Sequence, residues 1–153
     1  MVDNIQGYFR QTPKFQVCNV NNLQAKEIIE YSLQEGYLTA VIDGKRVKTE
    51  QDLCQEIGSQ MHFPAYYGEN WSAMGECLAD MDWDDSPEWT LGEIKGGVII
   101  IKNFSDLLSQ STIVGPDDFI KLLENSHRYL FSPVDNISGI PRERMIKVFV
   151  EVP

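Results

Sequence analysis

The segment ENWSAMGECLAD places Glu69, Ser72, Glu76 and Asp80 at successive intervals of three, four and four residues. On an α-helix that spacing makes one continuous ridge of side chains. Trp71, Met74, Leu78 and Met81 recur at intervals of three, four and three and form an apolar stripe opposite much of the ridge. Such a helix packs on one face and holds carboxylates out on the other, where their chemistry is the attraction of cations. The wider charge pattern agrees. From Thr49 to Ile94 there is no Lys or Arg, whereas 11 of the chain's 23 acids fall there and all 13 bases lie elsewhere. Two readings stay open at this point, a solvated acidic face and a docking surface that speeds encounter with a basic partner and rejects like-charged competitors.

Catalytic sets are not assembled by the same residues. Glu69, Glu76 and Glu88 invite a search for paired catalytic carboxylates, but no spacing selects a pair. Asp80, Asp82 and Asp84 mimic the first positions of a calcium loop, yet Asp85 stands where a Gly is required and Leu91 where a Glu is required. His62 and His127 are isolated from any cysteine or matching histidine, which argues against a metal centre or a triad. Cys18, Cys54 and Cys77 fit neither a zinc spacing nor a disulfide framework and read as free, mostly buried thiols. Gly96-Gly97 precedes a strand, the reverse of the order in nucleotide-binding folds. The expectation is therefore no enzyme, no metal and no cofactor. An acidic hydrolase would need a convergent set of groups that the sequence does not supply.

The elements that must position the acidic helix can be read from period and punctuation. Phe15 to Val20 alternates as a short strand. Asn21 or Asn22 caps a helix whose apolar positions are Leu23, Ile28, Ile29 and Leu33, ending before Gly36. Leu38 to Ile42 is a strand closed by Asp43-Gly44. Thr49 caps a helix with Leu53, Ile57 and Met61 on one side and Glu50, Asp52 and Glu56 in its early turns, where the helix dipole favours acids. Pro64 stops that helix, and the loop AYYGEN leads to the acidic one.

After a polar connection, Val98 to Ile101 is a strand apolar on both faces. A short helix is expected near Ser105–Ser109. Gly115-Pro116-Asp117 then opens a helix with Phe119, Ile120, Leu123 and Tyr129 as its apolar side. Met145 to Val152 is the last strand, and Pro133 to Arg144 reads as an exposed insertion. Strands separated by helices, β-α-α-β-α-β from Leu38 onward, predict an α/β sandwich with a small, mostly parallel sheet of about three strands and helices packed around it.

At 153 residues the chain is one domain's worth, large enough for a single core without staples. A net charge of −10 repels a phosphate backbone, so direct nucleic-acid binding is not expected. No run of 18 apolar residues occurs, and the opening residues MVDNIQGYFRQTPKF lack a basic region followed by an apolar stretch. A soluble cytoplasmic protein is expected, with no membrane contact.

The stretch FPAYYGENWSAMGECLADM resembles the signature of the barstar family of ribonuclease inhibitors, in which P-x-Y-Y-G-x-N precedes a helix carrying a D/E-C-L element. Pro64, Tyr66, Tyr67, Gly68, Glu69 and Asn70 match the first part, and Glu76, Cys77 and Leu78 the second. Val41, Ile42, Asp43 and Gly44, then Thr49, Asp52 and Leu53, fall in family order. The resemblance covers Leu38 to Val152 and implies a single barstar-like domain over 1–153, with 1–37 as an N-terminal extension of a 38–152 core.

That resemblance implies a stoichiometric inhibitor, bacterial and cytoplasmic, acting as an immunity protein or antitoxin. As a monomer in a 1:1 complex it would plug the active site of a basic ribonuclease or related nuclease toxin. A ribonuclease site is built of cations that hold phosphate, and a carboxylate-bearing helix can stand in for that phosphate. The resemblance places Tyr66, Tyr67, Gly68, Glu69 and Asn70 in the binding loop, with Gly68 allowing a sharp turn and Asn70 supporting the loop or capping the helix. It places Ser72, Gly75, Glu76 and Asp80 on the binding helix and Glu124 on a later one. Glu76 takes the place of the principal family aspartate, one methylene longer. Ser72 stands where the family often has an acid, and Gly75 where it often has a large aromatic. Read from the residues alone, Tyr67 suits the core better than a contact. The alternative function is a non-inhibitory interaction module on the same fold, binding a basic cytoplasmic protein.

Overall fold

The computed structural model describes residues 5–9, 14–64, 67–80, 95–132 and 142–153. Six strands and four α-helices follow along them in the order β1 (Val17–Val20), α1 (Asn22–Gln34), β2 (Leu38–Asp43), α2 (Glu50–Gln60), α3 (Trp71–Asp80), β3 (Gly96–Lys102), α4 (Pro116–Leu130), β4 (Phe131–Ser132), β5 (Arg142–Glu143) and β6 (Met145–Glu151). Short 3₁₀ turns cover Ile5–Phe9 and Phe104–Asp106. The main sheet has the order β1-β6-β3-β2, and β4 and β5 form a separate antiparallel pair. All three ladders of the main sheet are parallel, with Val17 opposite Val148, Leu38 opposite Gly97 and Gly96 opposite Met145.

Local chemistry starts the helices. Asn21 caps α1, its side chain accepting from the Gln24 N–H while Gln24 Oε1 accepts from the Asn21 N–H, both at 2.8 Å. Thr49 and Asp52 make the same reciprocal box at α2. Packing then sorts the layers. Leu38, Ala40 and Ile42 of β2, Ile99 and Ile101 of β3, and Ile146 and Val148 of β6 meet Leu53 and Ile57 of α2, Met74 and Leu78 of α3, and Phe119 and Leu123 of α4. Val98, Ile100, Met145 and Phe149 point to the opposite face and meet Ala25 and Ile28 of α1 with Phe9. The result is a three-layer α/β/α sandwich, and the run Val98–Ile101 is buried on both faces, as a central parallel strand must be.

The sheet has four strands rather than about three. Val17–Val20 pairs with β6, whose outer edge would otherwise leave a row of backbone donors and acceptors open. At the other edge Gln60 does similar work. Its side chain accepts from the Val41 N–H at 2.6 Å and donates to the Val41 carbonyl at 2.8 Å, closing part of the free side of β2. The stripe read along α1 is also corrected: Leu23 and Leu33 are 66% and 52% exposed, while Ala25, Ile28 and Ser32 are buried. Ser32 is tolerated inside because its hydroxyl donates to the Ile28 carbonyl at 2.6 Å. Of the insertion expected over 133–144, residues 133–141 lie outside the described residues, and Arg142–Glu143 pairs with Phe131–Ser132.

One position in β6 works against the core. Lys147 lies between Met145 and Phe149 on the α1 side of the sheet and is 7% exposed. Among the described residues no hydrogen bond or ion pair holds its ammonium, which is not among the fully buried polar atoms and so reaches the surface at the end of a buried stem; burial still pushes its pKa down, with Cys18 opposing. A lysine whose folded value is depressed costs stability wherever it is charged in both states; the cost is relieved as pH rises through the folded value toward the unfolded one near about 10.4. Lys147→Met is therefore expected to raise stability at pH 7, and the gap to narrow toward pH 10. Urea unfolding of both proteins at the two pH values checks this; a wild type equal or superior at pH 7 would contradict it.

Candidate functional site

The loop before α3 is built from its two ends. Helix α2 closes at Met61, and His62 adopts a left-handed conformation (φ 57°) that lets the Phe63 N–H reach back to the Gly58 carbonyl at 2.9 Å. Pro64 forbids continuation. Tyr66 lies outside the described residues. Tyr67 is half-buried and tied to α2: its hydroxyl donates to the Cys54 carbonyl at 3.0 Å and its ring meets Phe63 edge-on, centroids 4.9 Å apart. Gly58 makes room for it, since a Cβ there would come within 2.7 Å of the Tyr67 ring. Burial, with the neighbouring Cys54 second, holds the Tyr67 hydroxyl well above the usual phenol range, so it remains a donor. Tyr67 thus anchors the loop from inside.

The sharp turn expected at Gly68 falls one residue later. Gly68 has an ordinary φ, and Glu69 carries the left-handed conformation (φ 52°), placing its exposed carboxylate at the mouth of α3. A non-glycine residue there costs roughly 1–2 kcal/mol of backbone strain. Strain of this kind persists only where the surroundings fix it and is common in binding loops. Asn70 does what capping chemistry requires: its side-chain oxygen accepts from the Ala73 N–H at 2.9 Å, while its amide lies 3.4 Å from the Gly68 carbonyl.

Helix α3 then separates its two faces. Met74, Cys77 and Leu78 are buried; Ser72, Glu76 and Asp80 are exposed. The Cys77 thiol is pushed up to about 11 by burial and then by Asp80 and Glu76, which keeps it protonated and unreactive at neutral pH. Across from α3 stands α4, and the two are joined where Ser126, buried, donates its hydroxyl hydrogen to the Gly75 carbonyl at 3.1 Å. Between them runs an open groove of about 690 Å³. Trp71, Ser72, Gly75, Glu76, Ala79 and Asp80 form one wall; Asp118, Lys121, Leu122, Asn125 and Tyr129 stand on the other.

The structure brings Ser72, Gly75, Glu76 and Asp80 to this groove and places Gly68, Glu69 and Asn70, all exposed, at the end where α3 begins. Glu124 is not among the groove residues; its carboxylate faces Arg128 one turn on, at 3.6 Å. The acid that α4 does bring is Asp118, which also accepts from the Gly115 N–H at 2.8 Å. Its signal was the spacing Asp118, Leu122, Asn125 and Tyr129, a single helical ridge. Tyr129, read as part of the apolar side, is 67% exposed and lines the groove instead. Among the described residues no Lys or Arg forms an ion pair with Glu76 or Asp118, and no three His, Cys, Asp or Glu side chains converge on a metal position. Asp82 and Asp84 lie outside the described residues. No described helix is long and apolar enough to cross a membrane.

A family model described as Barstar (barnase inhibitor) matches residues 37–149. The matched span runs from the residue before β2 into β6 and so contains the loop, α3 and α4.

The anchoring role of Tyr67 has a measurable consequence. Tyr67→Phe keeps the ring and deletes the bond to the Cys54 carbonyl, and is expected to lower unfolding stability by about 1 kcal/mol. Denaturant midpoints decide; no loss of stability would show that the hydroxyl does not hold the loop.

Proposed function

The chain belongs to the barstar family, and from that premise we propose that it is a stoichiometric inhibitor of a basic ribonuclease or related nuclease toxin, an immunity protein of the cytoplasm acting as a monomer in a 1:1 complex. The observation that carries this reading is the division of α3, whose Met74, Cys77 and Leu78 are locked in the core while Ser72, Glu76 and Asp80 stay exposed. A helix backbone already fixed by its inner face presents these carboxylates without a further backbone-ordering cost on binding.

Glu76 is the central contact in this reading. The enzyme's phosphate-binding cations would close on its carboxylate as they close on substrate, which explains inhibition without any chemistry on the inhibitor. Glu69 and Asp80 extend the same negative potential to either side, and Asp118 adds to it from α4. Tyr66 and Gly68 would complete the loop contact, with Asn70 and Tyr67 holding the loop in place. Glu124, off the groove, would contribute to the long-range field alone.

Two outcomes follow for a barnase-class ribonuclease titrated with the purified chain. Glu76→Gln, which keeps shape and removes charge, is expected to leave the thermal unfolding curve unchanged and to weaken inhibition by about 100-fold, within the range of interfacial ion pairs that include this family's own complexes. An unfolded variant would make Glu76 structural, and undiminished inhibition would remove it from the contact. Separately, the association rate is expected to fall at least about tenfold between low salt and 0.5 M salt, because the Debye length shrinks below about 8 Å, while the dissociation rate changes little. An association rate indifferent to salt would contradict steering by the acidic face. Absence of inhibition by excess protein, with RNA cleaved as in its absence, would direct the search to a basic partner that is not a nuclease.

A further inference from the structure

We propose that the groove between α3 and α4 receives a bulky apolar side chain, aromatic by preference, projecting from a basic segment of the partner protein. The proposal rests on the inhibitor reading of the same face and goes beyond it by stating which side of the interface supplies the knob and which the hole.

Gly75 is the first observation. A glycine inside a helix costs roughly 0.5–1 kcal/mol relative to alanine, so its presence needs a reason. At Gly58 the reason is packing, since a Cβ would come within 2.7 Å of the Tyr67 ring. Gly75 has no such excuse. Its φ is not left-handed, and a Cβ there would lie 3.6 Å from Leu122 Cδ1, an ordinary contact. What the missing side chain leaves is open space in the middle of the groove.

The lining is the second observation. Trp71, Ala79, Leu122 and the exposed Tyr129 give the groove apolar and aromatic walls, and its volume of about 690 Å³ accommodates the largest side chains with neighbours. Charge is the third. Among the lining residues Glu76, Asp80 and Asp118 stand against Lys121, with Arg144 reaching the Asp80 carbonyl at 3.5 Å at one end, so the lining keeps a negative balance that favours cationic residues flanking the inserted side chain. A second copy of this chain would bring the same acids against themselves, and an acidic segment would be repelled. A pocket filled by an aromatic anchor inside a polar rim is the arrangement in which a few residues carry most of an interface's affinity.

The test uses short peptides and no nuclease. Acetyl-Lys-Lys-Trp-Lys-Lys-amide is titrated into the ¹⁵N-labelled full chain, beside the peptide with Ala for Trp and a peptide with Glu for every Lys. The expected result is saturable shifts at the amides of Gly75, Ala79, Leu122 and Tyr129 with the Lys-Trp peptide, about tenfold weaker with the Ala peptide and weaker still with the acidic one. Gly75→Leu, which fills the hole, is expected to cut the Lys-Trp affinity by about tenfold, and Gly75→Ala, whose Cβ fits, verifies by its unfolding midpoint that the helix tolerates a side chain there.

Equal binding of the Trp and Ala peptides would reduce the face to plain electrostatics and overturn the proposal, as would undiminished binding to a folded Gly75→Leu. Equal binding of the acidic peptide would mark a site for apolar ligands of any charge, and groove shifts that depend on the concentration of the chain alone would mark self-association; either overturns the basic-partner assignment. Failure of the peptides with inhibition intact removes the knob-and-hole and leaves the inhibitor reading, whereas peptide binding without inhibition does the reverse.

Discussion

A ten-residue helix does not hold its shape in water by itself, because nucleation costs more than three turns return. Helix α3 therefore exists only as far as the rest of the molecule holds it, and that constraint organises the structure. Met74, Cys77 and Leu78 are driven into the core beneath the sheet, Asn70 closes the first turn, and Ser126 grips the Gly75 carbonyl from α4. The residues that remain, Ser72, Glu76 and Asp80, are exposed because everything else about the helix is committed inward.

The acidic face opposes the stability of its own helix. Glu76 and Asp80 are one turn apart and repel each other, at a cost of a few tenths of a kcal/mol. Glu69 adds a left-handed backbone, and Gly75 a helix-interior glycine. These costs fall on the loop, α3 and the groove, while β3 and the sheet face beneath them are closely packed aliphatic residues. Stability in one layer offsets strain in another, which is the pattern expected where a surface is kept for a partner rather than for folding. Lys147 is a separate cost on the far layer, and nothing in the site explains it.

What could be read from residues alone divides along a physical line. The cap at Thr49 was legible, and that of α1 to within one residue as Asn21 or Asn22, because a cap is local: one side chain, one N–H, three residues apart; Asn70, offered as loop support or cap, does both. The buried strand at Val98–Ile101 was legible because no exposed strand tolerates four aliphatics in succession. The family resemblance read from the loop and α3 agrees with the match over 37–149. Whichever feature depended on a tertiary neighbour was harder to place. Leu23 and Leu33 face solvent and Ser32 does not, since only the sheet decides which side of α1 is covered. Val17–Val20 was legible as a strand from its alternation, but not its place as a fourth member of the sheet, beside the open edge of β6. Tyr129 and Asp118 belong to the groove only because α4 crosses α3 there, and Glu124, assigned to the binding surface by resemblance, pairs with Arg128 on another side of the helix. The turn moved from Gly68 to Glu69 because residue type shows where a left-handed backbone is cheap, which differs here from where the chain must bend.

On this structure α3 is held in its shape before any partner arrives. Native-state hydrogen exchange of the full chain, alone and with a stoichiometric barnase-class ribonuclease, tests it most directly. Amides from Met74 to Leu78 in the free protein are expected to exchange nearly as slowly as those of β3, and the enzyme to add protection only at Tyr67–Asn70, α3 and the facing side of α4. Fast exchange of α3 in the free protein, with order appearing only on binding, would contradict it, as would new protection centred on α1.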